Sequence, residues 1–372
     1  MKNLIGGKFV DASNGEKADV INPATNELID TVPLATEEDV DLCVKEAAKA
    51  QKAWAKMPLH ERGDILYKFA DLVEANHEEL AQLLSKETGK PIKEARAEIS
   101  NTKHFVHGYV EKAKHDYGNV IPAGSEVGQE KTMQITVQQP LGVVACIIPF
   151  NFPCDLFGQK VPSALIMGNS VIVKPSTDNP LTLHRYCELL KDAGVPDGVI
   201  NCISGRGSVT GNALAKHPQV ALISVTGSTE VGAEVMANAA ANITHVMLEL
   251  GGNDAFIVMD DADMELTMKE LVWGRLYNTG QVCCASKRFL VQKGIKDEFI
   301  KKAVETLQSL KVAMPQQEDA DIGCLINEKA AINAEEQVRK TLDQGATLVY
   351  GGRRNGAFFE PTIIDNVTKD MD

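Results

Sequence analysis

The chain has 372 residues, 44% hydrophobic and 24% charged, with a net charge of −13 at pH 7. That length supports roughly two or three compact units with buried cores, and an acidic balance with dispersed lysines and arginines argues against a nucleic-acid or anionic-membrane surface. A small molecule is the expected partner.

The N-terminal MKNLIGGKFVDASNG lacks an apolar signal core, and the longest apolar run, LGVVACIIPF, is too short to span a bilayer. The expectation is a soluble, cytoplasmic protein whose eight scattered cysteines stay reduced and serve mostly as small core residues.

A strand-rich start leads into TEEDVDLCVKEAAKAQKAWAKM. There Thr36 and Asp39 give a capping-box signal, and Val40, Val44, Ala47, Ala48 and Trp54 follow helical spacing. Further helices are expected through ERGDILYKFADLVEANHEELAQLLSKETG and KEARAEISNTKHFVHGYVEKAKHDYG. Residues 119–139 turn to Gly, Pro and polar–apolar alternation, which predicts a hairpin or extended arm.

From residue 141 the short β-branched runs GVVACIIPF, SVIVKP, VINCISG, VALISVTG and HVMLEL alternate with helical segments such as PLTLHRYCELLKDAG. This is the pattern of a doubly wound α/β fold with a parallel sheet, in which a nucleotide binds at the C-terminal ends of the strands. The pattern resumes at NDAFIVMDD, the helix DMELTMKELVWGRLYN, KRFLVQ and DEFIKKAVETLQSL, a second α/β domain.

Five stretches invite chemistry. NTGQVCCASKR sets Cys283 beside Cys284 in a loop of small and polar residues, with no CxxC spacing to suggest zinc; either both are small packing residues or one is a nucleophile. In VTGSTEVG a helix beginning near Ser228 offers free N–H groups to a phosphate, although the same turn serves equally as a plain helix cap.

Lys174, closing VIVKPS, can reach ribose or phosphate oxygens or stand as a solvated loop charge, the reading favoured without context. Glu249, ending LELGGND, is expected in a crevice where burial raises its pKa and suits base chemistry; a structural strand-end glutamate is the alternative. Asn151 in IIPFNFP can donate to an oxyanion or stabilise a turn.

In this order the stretches resemble the aldehyde dehydrogenase family, from INPATNELI to FFEPTIIDNVTKDM. The resemblance implies Cys283 as nucleophile within Gly280-Gln281-Val282-Cys283, with Cys284 a packing residue. Asn151 and the Cys283 N–H would hold the oxyanion, Glu249 would activate water and Lys160 would relay protons. It also implies that Pro149, Phe150, Lys174, Ser176, Thr177, Gly227, Ser228, Gly232, Leu250 and Gly251 bind the cofactor. No metal is implied.

Similar NAD-preferring enzymes often carry a glutamate where this chain has Thr177. A neutral residue there removes repulsion of a 2′-phosphate, so NADP is expected to be accepted, alongside NAD. Gln159 stands where family members acting on succinate semialdehyde often have a basic residue, which favours small neutral or hydroxylated aldehydes.

The resemblance further implies a homo-oligomer. It divides the chain into a nucleotide-binding domain (1–118 and 140–248), a bridging arm (119–139) and a catalytic domain (249–372) incomplete at its end. Similar proteins continue past NVTKDMD, so a chain ending there is expected to expose apolar surface and to hold the cofactor's reactive end less firmly. A nucleotide-binding or interaction protein without turnover is the alternative expectation.

Overall fold

The five β-branched runs form the parallel core of a seven-stranded sheet in the computed structural model, which describes residues 1–371. Across the sheet lie His245–Glu249, Val220–Thr226, Val143–Ile147, Ser170–Lys174 and Ile200–Cys202, all parallel. The N-terminal strands Asn3–Ile5 and Lys8–Val10 extend the sheet antiparallel beside Ile200–Cys202.

The inner runs are largely apolar because both faces of the sheet are covered there. Val144, Cys146, Val171 and Val173 pack with Phe157, Val161 and Leu165 on one side. Val143, Ala145, Ile172, Ile223 and Val225 pack with Val40, Val44, Leu214 and Val235 on the other. This is the doubly wound α/β class that the alternation predicts.

The helices follow their apolar periods. Glu37–Trp54 starts at the predicted capping box, with Thr36 accepting from the Asp39 N–H and the Asp39 side chain accepting from the Thr36 N–H. Leu59–Ala75, His77–Thr88 and Ile92–Lys114 follow, and Ile92–Lys114 packs extensively on Pro153–Ile166. The arm pairs Val120–Ile121 with Gln134–Ile135 and is largely exposed.

Beyond the sheet, Asp254–Val258 and Ser286–Val291 form a separate parallel pair. Met268, Leu271 and Phe299, from helices Met264–Leu271 and Lys296–Ser309, cluster with Val258. Its outer face leaves Ile257 66% and Leu290 52% exposed.

The helix expected over DMELTMKELVWGRLYN is regular only through Leu271, widens over Val272–Leu276 and then breaks. The break has a local cause: Asn278, Thr279 and Gly280 take φ of 51°, 55° and 77°, left-handed values a helix cannot absorb.

Candidate active site

The strand order reverses between Val143–Ile147 and Val220–Thr226, and in a doubly wound sheet the crevice beyond the strand ends at that point is the ligand site. Register brings the ends level: Ile147 lies opposite Lys174 and Val225, and Thr226 opposite Glu249. Pro149 to Asn151, Lys174 to Thr177, Gly227 with Ser228, and Glu249 to Gly251 therefore share one rim.

The Asn151 carboxamide crosses from this rim to the cysteine loop, donating from Nδ2 to the Gln281 carbonyl at 3.1 Å. The Asn151 carbonyl in turn accepts from Asn278 Nδ2 at 2.8 Å. The loop is fixed elsewhere too: Gln281 Oε1 accepts from the Ile326 N–H at 3.0 Å, and Arg275 Nη1 donates to the Gly280 carbonyl at 3.1 Å. Three successive left-handed residues held by such contacts are the kind of stored strain that marks functional loops.

Cys283 follows this loop and is exposed. A Cβ on Gly252 would stand 2.8 Å from the Cys283 carbonyl oxygen, so the turn after Glu249 lies directly against the cysteine backbone. Lys287 ties the same turn by donating to the Gly252 carbonyl. Sequence reasoning thus named three stretches, around residues 151, 249 and 283, that the fold assembles.

Two expectations need correction. Glu249 is exposed rather than buried in a crevice: its strand is the last of the sheet, and alternation turns His245, Met247 and Glu249 to solvent while Val246 and Leu248 face the core. Cys284 is exposed as well, and so is not a packing residue; partial loss of hydration and the neighbouring Cys283 raise its thiol pKa.

Lys160, on Pro153–Ile166, donates to Ser224 Oγ at 2.8 Å. Burial lowers its pKa, opposed by Cys146 and, more weakly, Glu249.

Lys174 also departs from its bland reading. It is 4% exposed, its ammonium donates to the adjacent Pro175 carbonyl at 3.0 Å, and burial pushes its pKa down to about 8. Buried cations are normally paired, so this ammonium suits a ligand's oxygens.

On the strand-end rim and the segment after it, Thr226 Oγ1, Asn151 Oδ1 and Asn179 Oδ1 are buried without a hydrogen-bond partner. Ser176 and Thr177 are half-buried on the same rim, next to the exposed Asp178. Ser228 caps helix Thr229–Ala239 by accepting from the Val231 N–H at 3.3 Å. These groups fit a nucleotide with a phosphate at the helix start and hydroxyls near Lys174.

Gly232 is buried, and a Cβ there would meet Leu250 Cδ2 at 2.9 Å, so the pair serves close packing of helix on strand end. Gly251 is exposed at the rim.

Sequence reasoning missed Lys90, Glu94, Glu98 and Asn278, buried groups behind the two loops. A signal was present: Glu94 and Glu98 flank the buried stripe Ala95, Ile99, Thr102 and Val106 of one helix, an unusual place for acids. Burial pushes Glu94 up to about 7.

A doubly wound sheet whose crevice meets an exposed cysteine on a left-handed loop defines a nucleotide-binding α/β fold with a free thiol at its crevice. The chain belongs to the aldehyde dehydrogenase family, whose model matches residues 9–372. It is 39% identical to the D-glyceraldehyde dehydrogenase (NADP(+)) of Picrophilus torridus, over all of this chain and 76% of that protein. It is 37% identical to the succinate-semialdehyde dehydrogenase (NADP(+)) of Escherichia coli, over 98% of this chain and 75% of that protein.

Among solved structures, a 3,6-anhydro-L-galactose dehydrogenase in complex with NAP superposes with a TM-score of 0.96 at 36% identity. The match covers the whole chain and 78% of that one. A Staphylococcus aureus betaine aldehyde dehydrogenase with NAD+ has a TM-score of 0.96 at 34% identity, covering the whole chain and 74% of that one. Among the described residues, no helix is long and apolar enough to cross a membrane.

Proposed function

We propose that this protein oxidises a small neutral or hydroxylated aldehyde to its carboxylic acid, with NADP or NAD as oxidant. The observation that carries the reading is the Asn151 carboxamide bridging the crevice to the loop of Cys283. Kinship with NADP-dependent aldehyde dehydrogenases supports it.

The Cys283 thiolate adds to the aldehyde carbonyl carbon, and the carbonyl π electrons move to oxygen. Asn151 Nδ2 carries two hydrogens and spends one on Gln281; the other, with the Cys283 N–H, faces the oxyanion. Bound at the crevice, the cofactor supplies a hydride acceptor for the aldehyde C–H. As that bond breaks the oxyanion re-forms C=O, leaving a thioester on Cys283.

Glu249 then takes a proton from water, the hydroxide adds to the thioester carbon, and the C–S bond breaks to return thiolate and release the acid. An exposed Glu249 is open to this water, and Lys160 near it can pass the proton on. Lys174, Ser176 and Thr177 would hold the cofactor's ribose, and Gly227 with the Ser228 helix start its phosphates. Gln159 presents no charge to recognise a substrate carboxylate.

Residues 1–118 with 140–248 act as the nucleotide-binding part, 119–139 as the bridging arm and 249–372 as the catalytic part. Exposed Val120, Val127, Met133 and Ile135 on the arm support a homo-oligomer. Eight unpaired cysteines support a reducing cytoplasm.

A second reading, nucleotide binding without turnover, draws on the exposure of both Cys283 and Glu249. Mass spectrometry of Glu249→Gln incubated with aldehyde and NADP separates the two. The proposal expects an acyl adduct on the Cys283 peptide; adduct on Cys284 alone, or none, sinks it.

A further inference from the structure

Behind the reacting loops lies a buried ion pair that the chemistry above does not use. Lys90 is 0% and Glu98 1% exposed, and the ammonium donates to Glu98 Oε2. The same ammonium donates to the Asn151 carbonyl at 2.9 Å and sits 4.0 Å from the centroid of the Phe152 ring. The other carboxylate oxygen of Glu98 accepts from the N–H groups of Cys154 at 2.8 Å and Asp155 at 3.3 Å, at the start of helix Pro153–Ile166.

The loop 151–155 is therefore gripped at a carbonyl, a ring and two N–H groups by one pair. One helical turn before Glu98, Glu94 Oε2 accepts from the Asn278 N–H at 2.7 Å, and Asn278 Nδ2 reaches the Asn151 carbonyl at 2.8 Å. Phe152 also stacks on Tyr277, with ring centroids 5.8 Å apart and planes within 1°.

The pair is a costly way to gain stability. Taking both charges from water consumes most of their attraction, and an apolar pair of similar volume commonly serves as well. What such a pair adds over apolar side chains is direction: each charge fixes hydrogen-bond partners at defined angles. Beyond each other, their side-chain partners here lie in the asparagine loop and the first turn of the helix that follows it, and the loop's amide must sit within a fraction of an ångström of its reacting position.

We propose that Lys90 and Glu98 are positioning residues, which hold the Asn151 carboxamide in register with Cys283 and contribute to the oxyanion site without touching substrate. The inference rests on the reading of Asn151 given above.

The test is a set of full-length variants: Asn151→Ala, the neutral pair Lys90→Met with Glu98→Met, the combination of all three, and Glu98→Gln, which keeps an acceptor for Cys154. Each is measured for kcat, KM, NADP binding, thermal unfolding and amide hydrogen exchange over 150–155 and 278–283. The neutral pair is expected to fold, to bind NADP as the wild type does, and to lose kcat by about a hundredfold with KM little changed. Added to Asn151→Ala it should cost nothing more, because both act through one amide.

Unchanged kcat in the folded neutral pair overturns the proposal, as does a loss that multiplies with that of Asn151→Ala. If the neutral pair does not fold, Glu98→Gln is judged by the same criteria; failure of both to fold assigns the pair to stability and also overturns it. Should Asn151→Ala leave kcat intact or the wild type be inactive, the oxyanion reading fails. Exchange then still decides whether the pair orders both loops: faster exchange in both supports the brace, and unaltered exchange removes it.

Discussion

Cys283 and Cys284 present the same chemical group to solvent in adjacent positions, so exposure does not tell them apart. What distinguishes them is the turn of Gly252 against the Cys283 carbonyl and the Asn151 bridge two residues before it. Cys283→Ala should lower turnover by about a thousandfold or more and Cys284→Ala by less than about threefold, as steady-state rates would show.

Lys174 gives a second prediction at this scale. Its free-state pKa near 8 lies below the value it takes beside an anionic ligand, so binding takes up a proton above pH 8. NADP affinity should fall as pH rises through 8, and Lys174→Arg, charged throughout, should remove that fall; titration by fluorescence at several pH values checks both.

The sheet and its helices explain why motifs far apart in the chain meet. Four of them sit at strand ends that register makes level, which the alternation of strand and helix already implied. The cysteine loop is different: its place depends on left-handed Asn278 and Thr279 and on contacts with residues 151, 252 and 326, and none of these is written in a local period. Glu249 shows the converse limit, since an apolar run ending in glutamate reads the same on a central or an edge strand, and only strand order shows it exposed.

The close approach of Gly252 is testable. A methyl there would meet a backbone oxygen at 2.8 Å, which cannot rotate away as a side chain would. Gly252→Ala should reduce kcat by about tenfold or more while leaving NADP affinity near wild type, as steady-state kinetics and cofactor titration would show.

Over the whole molecule, burial raises the pKa of three carboxyl groups, Glu87, Glu94 and Asp155, to about 7. An acid with a raised folded pKa remains protonated in the native state while its unfolded counterpart ionises. Native protein then binds more protons between about pH 4.5 and 7, and stability falls as pH rises through that window. For Glu94, raised from 4.5 to about 7, the loss amounts to about 3 kcal/mol, which Glu94→Gln should remove; the difference in urea midpoint between wild type and variant across this window measures it.

The same fold that buries these acids holds crevice, amide and cysteine together for the oxidation proposed at Cys283. Absorbance of reduced cofactor at 340 nm, with small aldehydes and either NADP or NAD, tests this on wild type and Cys283→Ala. Wild type is expected to turn over a neutral or hydroxylated aldehyde, and the variant is expected to show no turnover. Folded wild type that binds cofactor yet reduces none, or turnover that survives the loss of Cys283, would contradict the proposal.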